Sequence, residues 1–67
     1  MKVPVIEAAK VLRAVGFDLR GAMEQIRCIR QFAENGTLMP GDFILMGPAG
    51  SVALSEVYAA LGVKEVA

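Results

Sequence analysis

The side chains able to do chemistry in this sequence are few, and their spacing gives them little to combine. Histidine is absent, which removes the commonest general base at neutral pH. The single cysteine, Cys28, lies among Ile26, Arg27 and Ile29 with no base beside it, so its thiol reads as inert and partly buried. One thiol without histidine makes no internal disulfide and is a poor start for a zinc site. The carboxylates Glu7, Asp18, Glu24, Glu34, Asp42, Glu56 and Glu65 are scattered and form no evident acid–base pair. Ser51 and Ser55 suit capping or surface roles. This pattern predicts a protein that is not an enzyme and needs no metal or cofactor.

Two groups keep some binding potential. Gly47, Ala49, Gly50 and Ser51 form a glycine-rich turn ahead of an apolar segment. If that turn leads into a helix N-terminus, its backbone N–H groups would suit an anion such as a nucleotide phosphate. Ser51 would otherwise serve as the N-cap of a tight turn. Arg20, Arg27 and Arg30 form the second group. Arg27 lies seven residues beyond Arg20, two helical turns along nearly the same line, with Glu24 between them. Such a row contacts a partner or nucleic acid, or is simply a solvated face.

Short stretches resemble known motifs. Residues 43–51 are similar to the strand and opening loop of a P-loop nucleotide-binding motif, but Val52, Ala53 and Leu54 stand where its second glycine, lysine and hydroxyl belong. NTP hydrolysis is excluded on those positions. Residues 54–63, with Glu56, Val57, Leu61, Gly62 and Val63, resemble the first helix and turn of a bacterial helix-turn-helix. Tyr58 departs from that pattern, and Lys64, Glu65, Val66 and Ala67 are too few for a recognition helix. In the N-terminal half, residues 7–17 would be a first helix and turn, and residues 18–30 a recognition helix. Leu12 replaces the small residue expected there, and Arg20 is the one polar reader near the second helix's start.

The elements that must position these residues follow from periodicity and caps. Residues 2–5, containing Pro4, read as extended, and residues 5–15 as a helix apolar around most of its circumference, ended by Gly16. Asp18 is a good N-cap. Apolar residues at Leu19, Ala22, Met23, Ile26, Ile29, Phe32 and Ala33 then follow the i, i+3, i+4, i+7 pattern, with Asn35-Gly36 as the stop. Met39-Pro40-Gly41-Asp42 reads as a turn with proline second and a positive-φ glycine third. The run Phe43-Ile44-Leu45-Met46 predicts a buried strand, paired with residues 2–5, with residues 37–39 or with its copy in another subunit. A third helix is expected over 51–61, ended by Gly62, with the last five residues packed weakly. The fold class is therefore mainly α: three helices with one or two short β segments in a single small domain over residues 1–67. Its core should hold Ile6, Leu12, Val15, Met23, Ile26, Ile29, Phe32, Ile44, Val57 and Leu61.

Composition sets the functional expectation. A 67-residue chain is small enough that a monomer should be more polar than average, yet 55% of this one is hydrophobic. The surplus predicts exposed apolar patches, which mark interaction sites, and so a homo-oligomer, with a protein partner as a further expectation. Phe43, Leu45, Met46 and Tyr58 are the expected interface. Seven basic and seven acidic residues give zero net charge, which disfavours nucleic acid. No apolar run is long enough to cross a membrane, Lys2, Pro4 and Glu7 leave no signal-peptide core, and the lone thiol suits a reducing cytoplasm. The leading expectation is a small interaction or regulatory protein acting by self-association and by binding a macromolecule. The alternatives are a helix-turn-helix-like nucleic-acid regulator and a binder of a small anionic ligand.

Overall fold

The computed structural model describes residues 2–64. Within them lie three helices, α1 (Val3–Ala14), α2 (Leu19–Asn35) and α3 (Leu54–Leu61), and a hairpin of β1 (Ile44–Gly47) and β2 (Gly50–Ala53) inserted between α2 and α3. The architecture is mainly α with short β segments, as the sequence predicts.

Helix α1 begins earlier than its proline suggests. Pro4 does not hold residues 2–5 extended. It occupies the first turn, where its missing N–H has no intrahelical partner to lose and its fixed φ already suits the helix. Val5, Ala8, Ala9 and Leu12 form the buried stripe, and Leu12 and Ala8 are wholly inaccessible. The two alanines keep this stripe low, so α1 packs against both α2 and α3 and also touches β2. Ile6, expected in the core, lies off the stripe and is 37% exposed. Val15 closes the helix, and Gly16 follows at φ 102°.

Helix α2 matches its sequence signals at both ends. The Asp18 carboxylate accepts a hydrogen bond from Gly21 N–H at 2.7 Å, and Gly36 at φ 69° ends the helix in a left-handed turn. Replacing Asp18 with Ala should destabilise the fold by about 1 kcal/mol, read as a lower midpoint in a urea titration. Only Ala22, Ile26 and Ile29 are buried, because α2 presents one face to α1 and the rest to solvent. Phe32, also expected in the core, is 50% exposed at the C-terminal end of α2.

Residues 37–43 cross from α2 to the hairpin. The turn there is shifted by one residue from the expected one: Phe43 N–H donates to Pro40 C=O at 3.1 Å, so proline stands first. Gly41 is buried and has no positive φ. Its carbonyl accepts from Ser55 N–H, and the Phe43 carbonyl from Leu54 N–H, both at 2.9 Å. These two carbonyls satisfy orphan donors of the first turn of α3, which has no side-chain cap.

Within the chain the strand pairs with neither of the two expected segments, residues 2–5 or residues 37–39. β1 pairs antiparallel with β2, in the register Ile44–Ala53, Leu45–Val52, Met46–Ser51 and Gly47–Gly50. Residues 2–5 are unavailable because α1 takes up most of them, and residues 37–39 form no strand. The third helix starts at Leu54 rather than Ser51, because residues 50–53 are committed to β2. On the hairpin's inner face Leu45 is half-buried and Val52 is buried; on its outer face Ile44 and Met46 are exposed. Ile44 therefore leaves the expected core, and Val5, Ala8, Ala9, Ala22, Val52 and Tyr58 complete it. Of the terminal segment expected to pack weakly, Val63 is partly buried against the core, while Glu65, Val66 and Ala67 lie outside the described residues.

Candidate interaction surface

The glycine-rich turn has a structural task. Pro48 and Ala49 link the strands without a positive φ, so the turn lacks the primed geometry usual in two-residue hairpin loops. It is held instead by docking on the corner between α1 and α2. Ala49 N–H donates to Val15 C=O at 2.9 Å. A Cβ on Gly47 would lie 2.3 Å from that same carbonyl oxygen, and a Cβ on Gly16 would lie 2.6 Å from the Ala49 nitrogen. Glycine at 47 and 16 thus permits close approach of two backbones.

This geometry removes the basis for an anion site at Gly47, Ala49, Gly50 and Ser51. Gly47 and Gly50 are strand residues, the Ala49 N–H is already bonded, and Ser51 is exposed in β2 rather than at a helix start. The helix N-terminus nearby belongs to α3, and the carbonyls of Gly41 and Phe43 occupy donors of its first turn.

Arg20, Arg27 and Arg30 lie together on the exposed side of α2. They border a broad open groove with Glu24, Gln31 and Glu34, and every residue lining it comes from α2. A groove with one helix for its wall excludes little water. Arg27 pairs with Glu24 by a direct hydrogen bond, which holds the Glu24 carboxyl below, and the Arg27 guanidinium above, its usual pKa. Because Glu24 has the lower pKa in the folded chain, the pair's contribution is present at neutral pH and fades as pH falls through that depressed value. The contribution is small, since both groups are exposed.

The apolar residues give a more definite surface. A cleft of about 160 Å³ opens between the C-terminal half of α2, the 37–43 crossing, β1 and α3. Cys28, Phe32, Met39, Leu45, Leu54 and Tyr58 line it among others. Phe32 and Met39 stand half-exposed at 50% and 48%, and Phe43 at 47%. Ile44 at 56% and Met46 at 72% cover the opposite face of the same strand. Both faces of β1 therefore carry apolar side chains around a sheet edge.

Of the expected interface residues, Phe43 and Met46 are exposed on this surface and Leu45 is half-buried beneath it. Tyr58 is a correction. It is 2% exposed, and its hydroxyl donates to Met39 C=O at 2.8 Å, fastening the crossing segment to α3. Phe32, Met39 and Ile44 belong to the surface but escaped the sequence reading. The signal for Ile44 is the alternation of faces along β1, which needs the register to interpret.

Among the described residues no three metal-ligating side chains converge, and no helix is long and apolar enough to cross a membrane. No protein-family model matches the chain, and no curated protein or solved structure matches it.

Proposed function

We propose that this chain is a non-enzymatic interaction protein that works by self-association through the β1 side of its hairpin and acts on a macromolecular partner. The observation that carries the reading is the exposure of Ile44, Met46, Phe43, Phe32 and Met39 around one strand edge. Solvating so much large apolar surface on so small a domain is unfavourable, and a second surface of like character removes it from water. The lone thiol of Cys28 suits a reducing, cytoplasmic setting.

The test is sedimentation over a concentration series, for the natural chain and for Ile44→Lys/Met46→Lys. Both side chains are exposed, so the charges should leave the monomer folded. The reading predicts that the natural chain associates and that the double variant sediments as a folded monomer. Equal sedimentation of both as monomers would reject it.

A second reading, nucleic-acid binding by the α1–α2 pair, is favoured by one observation: Arg20 and Arg30 are exposed and form no ion pair among the described residues. It predicts a duplex complex at low salt that Arg20→Ala weakens. Glu24 and Glu34 beside the same groove argue against it.

A further inference from the structure

The hairpin register fixes which backbone groups of β1 remain open. Leu54 N–H donates to Phe43 C=O, so these two face each other as a hydrogen-bonded pair. Antiparallel pairs alternate in type, which makes Leu45–Val52 and Gly47–Gly50 bonded pairs and Ile44–Ala53 and Met46–Ser51 non-bonded ones. The N–H and C=O of Ile44 and Met46 consequently aim away from β2, along the outer edge of β1. The sheet contains only β1 and β2, so no strand among the described residues covers that edge. Beyond the shortness of β1, charge and proline do not protect it: β1 carries no proline and no charged side chain, and residues 43–55 are uncharged throughout.

Resting on the self-association proposed above, we infer that the occupant of this edge is β1 of a second copy, paired antiparallel across a two-fold axis at Leu45. Ile44 then faces the partner's Met46, and Met46 the partner's Ile44. All the outward groups of both residues are used at once, in two hydrogen-bonded pairs, and the two hairpins join into one four-stranded sheet. The arrangement is self-complementary, as a closed two-fold contact requires. It places Phe43 opposite the partner's Gly47, where the missing side chain leaves room for the ring. Asp42 lies beyond one end of the strand, so the two copies of its carboxylate sit at opposite ends of the pairing and do not meet.

The area supports a copy of this chain as occupant. Phe43, Ile44 and Met46 lie on or next to β1, Phe32 and Met39 line the cleft beside Leu45 of the same strand, and each is about half exposed or more. With side chains of this size, they leave roughly 600 Å² open, against about 800 Å² per partner in a standard stable interface. The match suits a dimer of moderate strength.

The experiment is amide hydrogen exchange on the full chain, above and below the association range, with Met46→Pro as the variant. Proline at 46 removes an N–H that points away from β2, so the intrachain ladder stays intact. The pairing predicts that the Ile44 and Met46 amides exchange freely when dilute and become protected when concentrated, while Leu45 is protected in both. It also predicts that Met46→Pro raises the dimer dissociation constant at least ~10-fold through lost hydrogen bonds in both copies. A dimer whose Ile44 and Met46 amides stay unprotected overturns the strand pairing and leaves self-association standing. A chain that is monomeric at every concentration overturns both. Should Met46→Pro fail to fold, the exchange pattern of the natural chain decides alone.

Discussion

Gly47→Ala should lower the stability of this domain by about 3 kcal/mol, although it adds a single methyl group. The added Cβ would sit 2.3 Å from the Val15 carbonyl oxygen and 2.8 Å from Val15 Cγ2. The nearest atom is backbone, at the point where α1 ends, and it cannot swing aside as a flexible side chain would. The hairpin must lift away, and the Ala49–Val15 hydrogen bond that seats it goes with it. Two losses therefore add, overpacking and the hydrogen bond from Ala49 N–H to the Val15 carbonyl. In a domain of this size a change of this magnitude should depress the melting temperature by roughly 12–25 °C. Gly50→Ala is the matched control. Its Cβ would meet Val15 Cγ1 at 3.7 Å, an ordinary contact, so the melting temperature should stay near that of the natural chain. Circular dichroism melts of the pair decide the matter, and equal effects would show that the docked turn does not hold the fold.

Leu12→Ala should cost about 2–5 kcal/mol, enough to leave much of the population unfolded. Leu12 is wholly buried in α1, the helix that both α2 and α3 pack against, so a cavity there faces several elements at once. Ile26→Ala, at 2% exposure on α2, should fall in the same range. Ile6→Ala tests the specificity of the claim. Ile6 belongs to the same helix but is 37% exposed, and its truncation should cost less than either. Urea denaturation measures all three, and a loss at Ile6 as large as at Leu12 would mean that the buried stripe of α1 is misplaced.

The helices were legible wherever a local signal carried its own physics. Asp18, the apolar spacing through Ile26 and Ile29, and Gly36 together define α2, because cap, stripe and left-handed stop each depend on neighbours within a few residues. Gly16 and Gly62 end α1 and α3 for the same reason. Where the deciding partner is another strand or a loop carbonyl, and not a neighbour on the same helix, local patterns mislead. Residues 50–53 resemble the start of a helix because Ser51 is a good cap and the rest are small. What commits them to β2 is pairing with residues 44–47, through a Pro48-Ala49 turn that lacks the usual Asn-Gly signature. Gly41 and Phe43 then supply backbone carbonyls to α3, which no cap pattern records.

The candidate surface was partly legible for a related reason. The run from Phe43 to Met46 marks a strand but not its faces, so Ile44 was assigned inward and Phe32 with it. Tyr58, expected at the interface, is buried instead, and its hydroxyl donates to the Met39 carbonyl across 19 positions of chain, a contact no local pattern records. The resemblance of residues 43–51 to a phosphate-binding loop came from glycines that serve a close backbone approach at Val15 instead.

Native mass spectrometry of the full chain, sprayed gently from a non-denaturing buffer across a range of concentrations, tests the central claim most directly. The account predicts a dimer that gains on the monomer as concentration rises, with no bound small molecule. A bare monomer throughout, or a monomer carrying a nucleotide or other small anion, would contradict it.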